Sequence, residues 1–328
     1  MNILFDRINF FPLKKKIFVS DFIKIIENKI QHSRSFNDYE IEDISSLDYI
    51  RKKSVLFISN IDKIPKNIAD IHIFTDNENI FKIKNLKNIH LLNNLDEIYN
   101  LLLNLIFYHD DNLGLEDNFN KINNSYVSNS STIDPSTEIS ANCIIGRGVK
   151  IGKNCIIKSN VSIKNAIIGN NVIIGDNTVI GSTGFGFNLK NLGSKNILPH
   201  IGIVYIEDNV RFGSNCTVDR AKIDYTFIGK NSMLDNQIHI GHNVKIGSNA
   251  CIAAQTGISG SVIIGSNVII GGQSGFAGHI VVGDNVTVAA KSGVTKNINK
   301  NSIVAGFPAV DIKEWKKSII NLKKYGHK

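Results

Sequence analysis

The stretch that decides the fold is IGKNSMLDNQIHIGHNVKIG, residues 228–247, in which an aliphatic residue returns at every sixth position. The spacing then continues without a slip over a long run: Ile228, Leu234, Ile240, Ile246, Ile252, Ile258, Ile264, Ile270, Phe276, Val282, Val288 and Val294. A period of six fits neither an α-helix nor an alternating hairpin sheet. It suits short parallel strands separated by tight turns that use Gly or Asn.

The same period reaches back towards the start of the chain, with two interruptions. It begins near Ile133, shortens by one residue before Ile168, and is broken between Ser182 and Ile203 and again between Val218 and Ile228. Stacked repeats of this kind bury one continuous apolar core and form a stiff body. We therefore predict a mainly β repeat domain over residues 121–307.

This pattern resembles the hexapeptide-repeat family. The resemblance implies a left-handed parallel β-helix of triangular section, with three hexapeptides, or about 18 residues, in each coil. The left hand comes from the resemblance alone, because general topology rules favour right-handed crossovers.

The segments on either side of the repeats are predicted to be different in kind. Residues 1–120 indicate a small α/β domain, with strands at 54–59 and 69–75 and a helix from Asp21 to Ile30 for which Ser20 is the expected N-cap. The Asn- and Ser-rich segment 118–131 indicates a linker. Residues 308–328 alternate apolar and basic positions at helical spacing, which predicts a C-terminal amphipathic helix.

Composition narrows the class of protein. The net charge of +8 and the pI near 9.1 favour anionic partners. The lysines are dispersed and lack a basic–aromatic platform, so nucleic-acid binding is not expected. Apolar runs are too short to span a membrane and the N-terminus lacks signal-peptide features, so we expect a cytoplasmic protein without a transmembrane segment. Four cysteines without a C-x-x-C pair are expected to be packing residues: Cys143, Cys155, Cys216 and Cys251.

The coil period brings candidate catalytic residues together. Adding 18 to His242 gives Gly260, and adding 18 again gives Gly278, which His279 follows. A histidine one coil away from an exposed glycine N–H can act as a general base while that N–H receives the oxyanion of an acyl group. The alternative for each histidine is a solvent-facing turn residue. Zinc is not expected, since His239 and His242 lie at different phases of consecutive repeats.

The first interruption is expected to supply a binding loop. It contains Thr-Gly-Phe-Gly-Phe (residues 183–187), and glycines beside the aromatic Phe185 and Phe187 indicate close contact with a ligand or a neighbouring subunit. The alternative is a surface loop without contacts. The second interruption carries Asp219 and Arg220.

Together these motifs resemble the family of UDP-3-O-(3-hydroxyacyl)glucosamine N-acyltransferases of lipid A biosynthesis. The resemblance covers essentially the whole chain and rests on residues 234–244, the Gly-Phe-Gly-Phe loop, Thr217–Arg220 and the Gly278–His279 pair. It implies transfer of a 3-hydroxyacyl chain from acyl carrier protein to the 2-amine of a UDP-sugar. It also implies a homotrimer with active sites between subunits and no cofactor. His242 falls on the family's general base, Gly260 on the oxyanion glycine and His279 on the second active-site histidine.

The resemblance also implies substrate-binding residues. Asp235, Asn236 and His239 belong to the quoted motif, although the family often has a different polar residue in place of His239. The uracil motif Phe-x-x-Asn-x-x-Tyr aligns with Phe57, Asn60 and Lys63, so a lysine stands where the second stacking aromatic is usual. Thr183 likewise replaces the usual aspartate before Gly-Phe-Gly.

Partners and rival functions follow from the same comparison. The basic charge suits the acidic acyl carrier protein and the diphosphate of the sugar nucleotide. Gly293 lies near positions that limit acyl length in the family, so a longer chain is expected. The alternatives are a hexapeptide-repeat sugar O- or N-acyltransferase with another donor, such as acetyl-coenzyme A, and a non-catalytic β-helix scaffold.

Overall fold

The computed structural model describes residues 5–35, 37–47, 49–60, 64, 68, 71–83, 85–108, 118–186, 198–306 and 312–325. Two β assemblies dominate these ranges, and the expected mainly β architecture with a left-handed parallel β-helix is confirmed. Among the helices in these ranges, none is both long and apolar enough to cross a lipid bilayer.

The β-helix has three sheets, one for each side of a triangular prism. The histidine sheet contains strands Phe119–Ile122, Ser125–Ser128, Ile144–Ile145, Ser162–Ile163, Val179–Ser182, Thr217–Asp219, His239–Ile240, Gly257–Ile258, Gly275–Phe276 and Gly293–Val294. The tyrosine sheet contains Thr132–Ile133, Lys150–Ile151, Ala166–Ile168, Ile203–Ile206, Tyr225–Ile228, Lys245–Ile246, Ile263–Ile264 and Val281–Val282. The methionine sheet contains Glu138–Ile139, Ile156–Ile157, Ile173–Ile174, Arg211–Phe212, Met233–Leu234, Cys251–Ile252, Ile269–Ile270, Thr287–Val288 and Ile303–Val304.

The strand register matches the predicted coil of 18 residues. His239 pairs with Gly257, and Gly257 pairs with Gly275, in parallel strands. The next residue in each strand points inwards, so that Ile240 and Ile258 are fully buried in one continuous apolar core. The residues that recur every six positions are therefore the ones whose side chains fill the interior of the prism.

Asparagines hold the turns between strands. Asn231, Asn249, Asn267 and Asn285 lie on successive coils with φ between 57° and 61°, a left-handed conformation that Asn tolerates better than most residues. Each side-chain amide donates to the next Asn oxygen along the corner, at 2.9 to 3.1 Å. The asparagines at this corner therefore serve both the turn conformation and the stacking of the coils.

The predicted linker is wrong, because the β-helix already begins inside it. Strands Phe119–Ile122 and Ser125–Ser128 form an antiparallel hairpin, and the second strand pairs in parallel with Ile144–Ile145. Asn123 and Asn124 connect the two strands with φ of 49° and 61°. A two-residue turn with both φ values positive matches the right-handed twist of a hairpin, and Asn is well suited to it.

The N-terminal part contains a five-stranded sheet: β1 Ile30–Arg34, β2 Asp43–Ser45, β3 Ser54–Phe57, β4 His72–Thr75 and β5 Ile89–Leu92. The strand order is β1-β5-β4-β3-β2, and all pairs are parallel except β1 with β5. Two α-helices accompany it, α1 Val19–Ile25 and α2 Leu95–Ile106, with short 3-10 helices at Arg7–Asn9, Glu27–Lys29 and Glu78–Lys82. Asn94 caps α2 by accepting the N–H of Glu97 at 3.3 Å.

The predicted start and end of the first helix are wrong. Phe18 occupies the N-cap position, and Ser20 lies inside α1. Asp38, distant in sequence, supplies the missing acceptor: it receives the Ser20 N–H at 2.9 Å and the hydroxyl at 2.7 Å. The helix ends at Ile25, and the short 3-10 helix Glu27–Lys29 leads into β1 at Ile30.

A buried charge network joins the N-terminal sheet to the β-helix. Arg7 is 1% exposed, and its Nε lies 2.5 Å from Asp43 on β2. The same guanidinium donates to the carbonyls of Ile223, at 2.7 Å, and Ile201. Ile201 also belongs to the apolar cluster that holds α1 and α2. The network ties the segments that lead into two neighbouring strands of the tyrosine sheet to the N-terminal part.

Two further sequence predictions concern the surface. A C-terminal helix is present as α3, Ile312–Tyr325, with exposed Lys316 and Lys317. Cys143, Cys155 and Cys216 are buried as expected, but Cys251 is exposed. It is the outward residue of its strand, between Met233 and Ile269 on the adjacent strands, so the packing prediction is wrong for this cysteine.

Candidate active site

His242 occupies the turn after strand His239–Ile240, and its ring lies over the bare backbone of Gly260 one coil away. A Cβ atom on Gly260 would fall 2.6 Å from His242 Nε2, so only glycine leaves room for this imidazole. Among the residues that the structure describes, no acceptor pairs with the Gly260 N–H. A basic nitrogen and an unpaired N–H therefore lie side by side.

The predicted stack of residues 242, 260 and 278 is present at one corner of the prism. Backbone hydrogen bonds tie its coils together, from Ser261 N–H to the His242 carbonyl at 2.9 Å and from His279 N–H to the Gly260 carbonyl at 3.2 Å. His279 is exposed and has a φ of 63°, matching Asn243 at 60° and Ser261 at 62° in the coils before it. The two histidines thus lie on either side of Gly260.

Asn243 determines which nitrogen of His242 is free. The Asn243 side-chain oxygen lies 3.1 Å from His242 Nδ1 and also accepts the backbone N–H of Lys222 at 2.9 Å. The Asn243 backbone N–H donates to Thr226 Oγ1 at 2.9 Å. An oxygen acceptor at Nδ1 places the proton there and leaves the Nε2 lone pair facing Gly260, as a general base requires.

Sequence reasoning missed His200, which packs against His242. The two ring centroids are 5.1 Å apart at 67°. His200 is buried, its Nδ1 lies 2.9 Å from the Leu198 carbonyl, and its own carbonyl accepts from Arg220 Nε at 2.9 Å. Burial, and then the nearby His242, lowers the pKa of His200 to about 3. A neutral ring therefore supports the candidate base.

The glycine-flanked loop approaches the same ring. A Cβ on Gly184 would lie 2.6 Å from His242 Cβ and 2.9 Å from His200 Nε2. The first glycine of Gly-Phe-Gly is therefore needed for close packing on the two histidines. Phe185 beside it is 81% exposed. Phe187 lies outside the described residues, so its predicted contact stays a prediction.

A second polar group adjoins this corner on the histidine sheet. His239 Nδ1 is 2.7 Å from Thr217 Oγ1, and His239 Nε2 is 3.8 Å from Asp219 Oδ2. Ser182 donates to the other Asp219 oxygen at 2.9 Å. Burial raises the pKa of Asp219, while the Ser182 hydroxyl and the nearby histidines oppose that rise.

An open groove of about 430 Å³ runs along the histidine sheet from His239. Gly257, Gly275 and Gly293 form its floor, and a Cβ on any of the three would meet no atom within 4 Å. Ile258, Phe276 and Val294 contribute to a mostly apolar lining. The groove has the character of a binding site for an extended apolar group.

The remaining predicted substrate residues lie apart from His242 in one chain. Asp235 and Asn236 occupy the turn before strand His239–Ile240, at the opposite corner of the histidine sheet. Both are exposed, and Asp235 Oδ1 accepts the Asn236 N–H at 2.8 Å. A single chain therefore does not bring them to the His242 corner.

The predicted uracil residues are in the N-terminal part. Phe57 ends β3, where its ring stacks on Phe74 at 5.1 Å and meets Tyr99 edge-on at 5.4 Å, so its ring is partly enclosed by the core. Asn60 is exposed, and Lys63 lies outside the described residues. No group of three potential metal ligands occurs in the described part of the chain.

Comparison with known proteins places these features in a family context. Residues 148–182 and 225–260 match the bacterial transferase hexapeptide family (six repeats), and residues 203–223 and 261–296 match the hexapeptide repeat of succinyl-transferase. Among solved structures, the UDP-N-acetylglucosamine O-acyltransferase of Moraxella catarrhalis superposes with a TM-score of 0.50. It is 27% identical and the match covers 59% of this chain and 76% of that one. The Francisella novicida UDP-N-acetylglucosamine acyltransferase superposes with a TM-score of 0.50 and is 26% identical. That match covers 59% of this chain and 71% of the Francisella protein.

Curated relatives have a higher identity over the part of this chain that they match. The UDP-3-O-acylglucosamine N-acyltransferase of Syntrophobacter fumaroxidans is 48% identical over 143 residues, 44% of this chain and 40% of the relative. The protein of the same name from Rickettsia typhi is 51% identical over 43% of this chain. The one from Desulfotalea psychrophila is 44% identical over 42% of this chain. Each match covers 40% of the relative. The match thus spans about two fifths of the length of these relatives. About two fifths of this chain is homologous to the UDP-3-O-acylglucosamine N-acyltransferases, and its repeats match the two hexapeptide families.

Proposed function

We propose that this chain transfers a 3-hydroxyacyl group from acyl carrier protein to the 2-amine of UDP-3-O-(3-hydroxyacyl)glucosamine. The product is UDP-2,3-diacylglucosamine, an intermediate of lipid A biosynthesis. The observation that carries the proposal is the free Nε2 of His242 beside the bare Gly260. The names of the relatives supply the substrate class.

The arrangement suits attack of an amine on a thioester. The neutral amine nitrogen bonds to the thioester carbon while His242 Nε2 removes its proton, and the carbonyl oxygen gains a negative charge that the Gly260 N–H stabilises. The tetrahedral intermediate then expels the thiolate of the carrier, which takes the proton from His242. One amide bond forms, one thioester bond breaks, and the base returns to its starting state without a cofactor.

We assign the groove to the acyl chain. It starts at His239, close to the His242 corner, and continues over Gly257, Gly275 and Gly293. The three glycines at the base of the groove leave space for methylene groups. The transfer of each methylene from water to an apolar surface is favourable by about 0.8 kcal/mol. The open position at Gly293 supports a longer chain.

The partners of the reaction follow from charge and shape. Exposed lysines on α3 and the net charge of +8 suit the acidic acyl carrier protein. We infer a homotrimer, in which Asp235 and Asn236 of a neighbouring copy would complete the site, and equilibrium sedimentation checks this mass directly. Sugar nucleotides and acyl carrier protein are cytoplasmic reactants, so we place the reaction in the cytoplasm.

The decisive experiment measures amide formation from 3-hydroxyacyl carrier protein and UDP-3-O-acylglucosamine. The parent chain is expected to turn over, and His242→Ala to lose about 10² to 10⁴-fold in rate, as for removal of a general base. Sedimentation and melting of both proteins control for assembly. An active parent with an equally active variant would remove His242 from the mechanism.

A second candidate is O-acylation, because the superposing Moraxella structure is an O-acyltransferase. Supplying UDP-N-acetylglucosamine, which has no free amine, separates the two. Ester formation on that acceptor, with no amide on the amino sugar, would support the second candidate and refute the first.

A further inference from the structure

A half-buried lysine lies next to the candidate base. The backbone N–H of Lys222 donates to the Asn243 side chain at 2.9 Å, and the same Asn243 oxygen lies 3.1 Å from His242 Nδ1. The positive charge of the Lys222 side chain also acts at this corner. Burial and His242 lower the pKa of the neighbouring His200 most, and Lys222 adds to that effect. Lys222 therefore belongs to the surroundings of the base, although amide formation as proposed uses no lysine.

The ammonium group of Lys222 has few partners. Its Nζ lies 4.4 Å from the centre of the Tyr99 ring, in a cation–π contact. Among the residues that the structure describes, no oxygen accepts a hydrogen bond from Nζ and no carboxylate lies within 4 Å of it. Burial lowers the pKa of Lys222, and the more distant Asp96 opposes that change. A cation that is partly out of water and lacks an anion is costly, so this ammonium is well placed to bind one.

The position of the ammonium indicates which anion it binds. The Tyr99 ring under Lys222 also meets Phe57 edge-on at 5.4 Å, and Phe57 is the aromatic residue predicted for uracil. Lys222 therefore connects the predicted uridine site to the turn that carries His242. In a UDP-sugar, the diphosphate lies between the uridine and the sugar whose amine reacts. We propose that Lys222 binds this diphosphate and holds the sugar nucleotide between Phe57 and His242. The assignment rests on the proposed function.

The chemistry of the contact determines which kinetic constant it affects. An ammonium can donate several N–H groups to the phosphate oxygens, and each such bond joins two charged groups. The diphosphate does not take part in amide formation, so the contact is the same in the bound substrate and in the transition state. Such uniform binding lowers KM and leaves kcat unchanged. A purely structural role of Lys222 in holding Asn243 and His242 would instead show in kcat.

The test measures kcat and the KM of each substrate in Lys222→Met. Methionine keeps an unbranched apolar side chain over Tyr99 and removes the charge. We expect KM for UDP-3-O-acylglucosamine to rise by about 10- to 100-fold, the range of a hydrogen bond between charged groups, while kcat and KM for the carrier-protein donor stay as in the parent. Lys222→Arg keeps a positive charge and should restore most of the affinity. Lys14→Met removes an exposed lysine 5.0 Å from the centre of the Tyr108 ring, and this matched control should keep the KM of the parent.

Calorimetric binding of UDP and of uridine separates the phosphate contact from the reaction. In Lys222→Met the Kd of UDP should rise while that of uridine stays at the parent's value. Lys222→Gln should behave in the same way, and thermal melting shows that both variants are folded. Unchanged KM and Kd values, a fall in kcat alone, or a higher KM only for the carrier-protein donor would overturn the assignment, and the last result would point to the phosphate of the carrier's prosthetic group. A parent that forms no amide refutes the proposed function, but a loss confined to UDP in the variant would still support the phosphate site.

Discussion

His72 Nδ1 and His90 Nε2 lie 2.8 Å apart inside the N-terminal sheet, with both side chains fully buried. Ser33 Oγ is 2.8 Å from His90 Nδ1, and His72 Nε2 is 3.0 Å from the Asn37 carbonyl. When both histidines are neutral, all three hydrogen bonds can be donated in one direction: from the Ser33 hydroxyl to His90, from His90 to His72, and from His72 to the Asn37 carbonyl. A further proton on His72 would set its Nδ1–H against the Nε2–H of His90, and a further proton on His90 would face the hydroxyl hydrogen of Ser33.

This pair predicts a loss of stability in acid. Burial, and then His72, lowers the pKa of His90 to about 3, whereas the unfolded chain takes up that proton near 6.5. The unfolded state therefore binds more protons between those values, and the contribution is present above pH 6.5 and lost as the pH falls. We expect about 1.4 kcal/mol per pH unit for His90 in that window, measured by urea unfolding between pH 7 and 5.

His90→Gln is the control for that measurement. Its side-chain amide can accept from Ser33 and donate to His72 while carrying no titratable proton. The slope with pH should fall in this variant. An unchanged slope would show that other groups control the acid sensitivity.

Gly260 is predicted to matter for catalysis through its missing side chain. Gly260→Ala would place a Cβ 2.6 Å from His242 Nε2 and 2.7 Å from Cε1, so the imidazole must move away from the oxyanion N–H. We expect kcat to fall by about 10² or more, since misplacing a reactive group by about 1 Å can cost that much. The melting temperature should change little because the ring can turn outwards. Gly306→Ala, where a Cβ meets nothing within 4 Å, is the matched control.

Arg7 is predicted to stabilise the join between the N-terminal sheet and the β-helix. Arg7→Met leaves Asp43 paired with Arg51 alone, 3.2 Å away, and removes the donor to the Ile223 carbonyl, so we expect a loss of about 1–3 kcal/mol in unfolding free energy. Thermal unfolding followed by circular dichroism measures it. Lys24→Met breaks the exposed pair with Asp21 and should have no measurable effect. A similar small change in both variants would contradict the role given to Arg7.

The repeats were predictable because one sequence period encodes one spatial period. Ile240 and Ile258 face the same core, and the coil of 18 residues predicts that His242 lies beside Gly260, as the structure has it. The loop between Ser182 and Ile203 has no period, so nothing in the sequence could bring His200 against His242, 42 positions later. The prediction of Ser20 as N-cap also failed because of a contact between distant segments, since Asp38 supplies the acceptor for the Ser20 N–H.

The last prediction concerns chain length. Gly275 lies between Gly257 and Gly293 on the groove floor, and nothing lies within 4 Å of a Cβ built on it. Gly275→Leu is therefore compatible with the coil but fills the groove about 5 Å beyond Gly257, one strand spacing away. Donors that end before this point should react as in the parent, while longer donors should lose 10-fold or more in kcat/KM, because each extra methylene then meets a side chain. Gly293→Leu, one coil further, should affect only the longest donors. The readout is kcat/KM against acyl length, and a uniform loss at every length would show that the chain lies elsewhere.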